Sequence, residues 1–102
     1  MTNYYIGEST LCDEPITYFV SFRELLLEID CYTSRQIRVV EILLKQLNLK
    51  VYEKEDSESW HYITIHSSLK DMQNVIKSLG SSDDVRNIDD ITEDYVLEKL
   101  RE

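Results

Sequence analysis

The stretch Ile16-Thr17-Tyr18-Phe19-Val20-Ser21-Phe22-Arg23-Glu24-Leu25-Leu26-Leu27-Glu28-Ile29 decides how this chain is read. Ile16 to Val20 is β-branched and aromatic, which suits a strand on a pleated, half-buried surface. At Ser21 the period changes. Ser21 with Glu24 has the form of a capping box, and Phe22, Leu25, Leu26 and Ile29 share one helical face. A strand feeding a helix through a capped turn is expected, and with it a mixed α+β chain.

Working outward, Tyr4-Tyr5-Ile6 reads as a short first strand, joined to Ile16 by a loop through Gly7 and Pro15. Thr33 and Gln36 repeat the capping signal and open a longer helix reaching Leu47. Its apolar residues Ile37, Val39, Val40, Leu43, Leu44 and Leu47 form a stripe wide enough for burial on more than one side. Asn48 suits a helix C-cap. Leu49 to Lys54 then alternates like a strand, Glu55 to Ser59 is a polar turn, and Trp60 to His66 is the returning strand of a hairpin. Ser68 with Asp71 caps another helix, with Leu69, Met72, Val75, Ile76 and Leu79 on one face and Gly80 at its end. Ser81 to Asp84 is a loop, and Val85 to Ile88 is a short strand or an extended connector. A terminal helix starts at Asp90 or Thr92.

At an offset of 47 residues, Ile16-Thr17 aligns with Ile63-Thr64, Ser21 with Ser68, Leu25 with Met72 and Ile29 with Ile76. The strand, cap and helix pattern thus occurs twice, as two βα units. The expected fold is one α+β domain over residues 1–102. It has a small, mostly antiparallel sheet of about four strands packed against three to four helices.

The 102 residues include 20 acids against 11 bases, a formal net charge of −9, with 42 % hydrophobic residues, two glycines and one proline. So large an apolar fraction argues against disorder, and the composition excludes collagen-like, linker and disulfide-scaffold classes. An excess of acid this large disfavours direct binding to nucleic-acid phosphates. The N-terminal residues have neither the basic region nor the apolar stretch of a signal peptide, and no run approaches membrane-spanning length. Cys12 and Cys31 are read as ordinary thiols, and the expected compartment is the cytoplasm.

Catalytic patterns are missing. His61, His66, Cys12 and Cys31 lack structural-zinc spacing, and on a strand His61 and His66 point to opposite faces. No nucleophile-elbow, P-loop or dinucleotide glycine pattern is present, and Ser21 and Ser68 read as helix caps. No metal, no cofactor and no enzymatic activity are therefore expected. Tyr4, Tyr5, Tyr18, Tyr52, Tyr62 and Trp60 fit a sheet, with Trp60 and Tyr62 on one strand face able to anchor a protein interface.

Charge is the most informative feature. Asp83, Asp84, Asp89, Asp90, Glu93, Asp94, Glu98 and Glu102 face only Arg86, Lys99 and Arg101 in the last segment. On a helix, Asp90, Asp94, Glu98 and Glu102 form a continuous stripe with about 6 Å between neighbours, approximating the spacing of phosphates along a nucleic-acid strand. The hairpin adds Glu53, Glu55, Asp56 and Glu58 against Lys54, whereas Arg35, Arg38, Lys45 and Lys50 meet one acid, Glu41.

Through the clusters Glu53 to Glu58 and Asp83 to Glu102, its size and its acidity, the chain resembles the small anti-defence proteins of phages and mobile elements, the anti-CRISPR and anti-restriction inhibitors. The resemblance implies a non-enzymatic DNA mimic that binds a basic, nucleic-acid-recognising surface of a defence nuclease and excludes DNA. Glu53, Glu55, Asp56, Glu58, Asp83, Asp84, Asp89, Asp90, Asp94 and Glu98 would meet the partner, with Trp60 or Tyr62 as apolar anchor. The alternative is an immunity, antitoxin or adaptor protein that uses its sheet face or its basic helix. Neither reading involves nucleic acid directly or a membrane, and a homodimer stays open.

Overall fold

A computed structural model describes residues 4–21 and 23–79, with side chains described from residue 7 onward. The elements run β1 (Tyr4–Leu11), β2 (Glu14–Ser21), β3 (Leu26–Cys31), α1 (Ser34–Gln46), β4 (Glu53–Asp56), β5 (His61–His66) and α2 (Leu69–Leu79). The strands form one antiparallel sheet in the order β1-β2-β3-β5-β4. Ile16, Tyr18 and Val20 of β2, Leu27 and Ile29 of β3, and Ile63 and Ile65 of β5 pack with Ile37, Val40 and Leu44 of α1 and Met72, Val75 and Ile76 of α2. The two described helices therefore lie on one side of the sheet, and among the described residues no element covers the other.

The fold is α+β, but its described part has five strands and two helices instead of about four strands and three to four helices. The difference centres on the opening stretch. Ser21 ends β2, Arg23 to Leu25 form a turn with Leu25 at φ 53°, and Leu26–Cys31 is a strand where a helix was expected. The same letters carry two periods. Phe22, Leu25, Leu26 and Ile29 fit a helix, yet Leu27, Ile29 and Cys31 alternate as buried residues with half-buried Leu26, Glu28 and Asp30. A helix that short is weakly nucleated, whereas the strand gains a ladder from β2 on one side and β5 on the other. Ser21 caps nothing, and its buried Oγ has no hydrogen-bond partner. The proposed repeat of strand, cap and helix fails with it.

At the N-terminus, the expected loop through Gly7 and Pro15 is a hairpin of two strands. Cys12 and Asp13 have φ of 55° and 65°, the left-handed pair that matches hairpin twist. Gly7, at φ 144°, sits where the β1–β2 register shifts, a bulge that a Cβ would oppose. Leu49 to Tyr52 lie outside any strand, so the second hairpin pairs Glu53–Asp56 with His61–His66 around a turn closed by Ser57 N–H donating to Trp60 O at 2.9 Å.

Both described helices start by local chemistry, and α1 also stops by it; the expected end of α2 at Gly80 lies outside the described residues. Thr33 and Gln36 make the expected capping box on α1. Asn48 follows the C-cap at φ 59°, with its N–H donating to Lys45 O and Leu49 N–H donating to Leu44 O, a Schellman ending. On α2 the Asp71 N–H donates to Ser68 Oγ at 3.2 Å. Among the described residues no helix is long and apolar enough to cross a membrane. The expected strand or connector at Val85 to Ile88 and the terminal helix lie outside the described residues.

Candidate functional site: the open face of the sheet

Strand register determines which side chains share the open face. Pairing places Glu8, Thr17, Asp30, Tyr62 and Glu55 in one row across β1, β2, β3, β5 and β4. A second row runs through Phe19, Glu28, Thr64 and Glu53. Residues two apart on a strand are about 7 Å apart, and alternate strands are about 10 Å apart. Glu28, Asp30, Glu53 and Glu55 thus frame a rectangle of carboxylates around Tyr62 and Thr64. No Lys or Arg occupies these rows.

The hairpin cation leaves this face. Lys54 pairs with Ile63 on the helix side, and its Nζ lies 3.3 Å from Glu41 Oε1 of α1. Arg35, Arg38 and Lys45 are exposed on α1. Among the described residues, the rows of the open face therefore carry acids, whereas Arg35, Arg38, Lys45 and Lys54 lie on the helix side.

Crowding the carboxylates changes their protonation. Glu28 is raised from 4.5 to about 7, first by burial, then by a hydrogen bond with Asp30 and by the charges of Asp30 and Glu53. Two carboxyl groups can share a hydrogen bond only if one holds a proton, so near neutral pH this pair carries a proton part of the time. Asp30 Oδ1 is closed off from solvent and accepts no hydrogen bond. Tyr62 Oη donates to Glu53 Oε1 at 2.6 Å, and that bond, then burial, then the charges of Glu53, Glu55 and Glu28 push the phenol up to about 12.

A groove of about 510 Å³ opens over β2, β3 and β5, with Phe19, Glu28, Asp30 and Tyr62 among its walls and Tyr32 and Trp60 at one end. Tyr32 is 65 % exposed and Trp60 67 % exposed. Two large aromatic side chains left in water beside an acidic floor are the feature of this surface that packing does not explain.

The hairpin residues singled out in the sequence separate by face. Glu53 and Glu55 lie on the open sheet and Trp60 lies on the groove rim. Glu58 is exposed in the turn. Asp56 faces the helix side, where its Oδ1 accepts from Ser34 Oγ at 2.7 Å and lies 2.8 Å from His61 Nδ1. These bonds, Ser34's first, hold its carboxyl below the usual range. Asp83, Asp84, Asp89, Asp90, Asp94 and Glu98 lie outside the described residues. Sequence reasoning missed Glu8, Glu28, Asp30, Phe19 and Tyr32. The alternation of Leu26-Leu27-Glu28-Ile29-Asp30-Cys31 was the signal that could have found the central pair.

His61 also pairs across the ladder with Cys31, so Cys31, His61 and Asp56 bring together the residue types of a thiol triad. The chemistry runs against a nucleophile. The Cys31 thiol is buried and pushed up to about 12, by burial and then by Asp30 and Asp56, so it holds its proton. Ser34 donates to Asp56 and not to the imidazole. Among the described residues no group of three or more His, Cys, Asp or Glu is placed to hold a metal ion.

No family model matches the chain, and comparison with curated proteins and with solved structures likewise gives no significant match.

Proposed function

We propose that this is a non-enzymatic binding protein whose acidic sheet face occupies the basic, nucleic-acid-binding surface of a partner protein and keeps nucleic acid off it. The observation that carries the reading is the pair of carboxylate rows, Glu8–Asp30–Glu55 and Glu28–Glu53, on a side of the sheet from which Lys54 has been turned away. Packing like charges side by side on a sheet is unfavourable for the fold alone, and a cationic partner relieves it. A defence nuclease, as in anti-CRISPR and anti-restriction inhibition, is the partner class this chemistry suits best. The test is capture of partners from the native lysate at low and then high salt, with the wild type and with a variant carrying E28Q, D30N, E53Q and E55Q. A nucleic-acid-binding protein held by the wild type at low salt, released by high salt and missed by the variant supports the reading, provided the wild type also displaces its DNA. Equal capture by the variant contradicts it.

The exposed Tyr32 and Trp60 favour a second reading, an adaptor or immunity protein that docks the same face mainly by apolar burial. Its partner would survive high salt and be lost on Trp60→Ala.

A further inference from the structure

We infer that the groove over β2, β3 and β5 is a pocket for an arginine side chain presented by the basic partner, with Glu28 and Asp30 taking the guanidinium and Trp60 and Tyr32 covering its plane. The inference rests on the acidic-face reading and specifies its contact. Three features favour a guanidinium over an ammonium. The groove, about 510 Å³, is far larger than a point charge needs, and its open end is aromatic, which suits a planar cation. Its floor offers two carboxylates on the same face of one strand, a match for a donor fork with several N–H groups. Asp30 Oδ1 is an acceptor without a donor, with the Glu28 carboxyl beside it on the same strand face. An ammonium, compact and strongly hydrated, would gain little from the aromatic rim.

Arginine and a proton then compete for the same carboxyl pair. The titratable groups around Glu28 are Asp30 on its own strand, Glu53 and Glu55 on β4 and Tyr62 on β5, whereas β2 contributes the uncharged Thr17 and Phe19. With Glu28 at about 7, the ionised fraction rises from roughly a tenth at pH 6 to roughly nine tenths at pH 8. Arginine affinity should therefore climb by up to about ninefold over that range, with release of a proton.

The experiment titrates the full chain at low salt with hexa-arginine and with hexa-lysine, two peptides of equal charge, following Trp60 fluorescence and heat. The expected result is at least about fivefold tighter binding of the arginine peptide. E28Q, D30N and W60A should each reduce that preference towards one. E53Q with E55Q should weaken both peptides alike, because those acids supply field without touching the pocket. Equal affinity for the two peptides overturns the arginine pocket and leaves the acidic-face reading standing. Binding of neither overturns both.

Discussion

At the scale of single residues, Gln36 does the most to join the layers. It is wholly buried at the start of α1. Its Oε1 accepts from Tyr32 N–H at 2.7 Å and Thr33 N–H at 3.1 Å, while its Nε2 donates to Leu11 O at 2.8 Å and Glu14 O at 2.9 Å. The side chain thus caps the helix and ties it to the β1–β2 turn. Gln36→Ala leaves several buried backbone groups without partners and should lower the unfolding free energy by about 2 kcal/mol or more, read as a lower urea midpoint at unchanged slope. Glu28 gives a prediction of opposite sign. A carboxyl raised from 4.5 to about 7 binds its proton more tightly in the folded state. Its contribution to stability is complete below pH 4.5, declines as pH rises and is gone above about 7. Glu28→Gln should therefore change little at pH 5 and stabilise by about 1 kcal/mol at pH 8, where nearby solvent screens part of the effect.

At the scale of elements, helix ends were legible in the sequence and β3 was not, for one physical reason. A cap is written in four or five consecutive residues, so Thr33–Gln36, Ser68–Asp71 and Asn48 could be recognised where they stand, although Ser21–Glu24 has the same form and is followed by a turn and a strand. Asn48→Val tests the last of these. A β-branched residue at φ 59° is strained, and the change should cost about 1–2 kcal/mol by thermal or urea unfolding, with the sheet intact by circular dichroism. The fate of Leu26–Cys31 depends instead on β2 before it and β5 about 30 residues beyond, and no local pattern carries that information. The candidate site shares this limit. Glu53 and Glu55 stood out as acids, but their alignment with Glu28 and Asp30 exists only through the β3–β5–β4 register.

At the scale of the whole molecule, the charges of the described residues are distributed with a direction. The described sheet presents acids, Tyr62, Phe19 and the exposed Trp60 and Tyr32 on its open side, while Arg35, Arg38 and Lys45 lie on α1 behind it. Such a field orients an approaching cationic surface before contact and raises its association rate, an effect that salt removes. The acids from Asp83 to Glu102 are a second acidic cluster in the sequence, so the claim to test is that the sheet is the part engaged. The most direct measurement is the backbone amide spectrum of the full chain titrated with hexa-arginine. Engagement of the sheet face should concentrate the shifts on Glu28, Asp30, Tyr62 and Trp60, with α1 unmoved. Shifts confined to residues 83–102, or to α1, would contradict it.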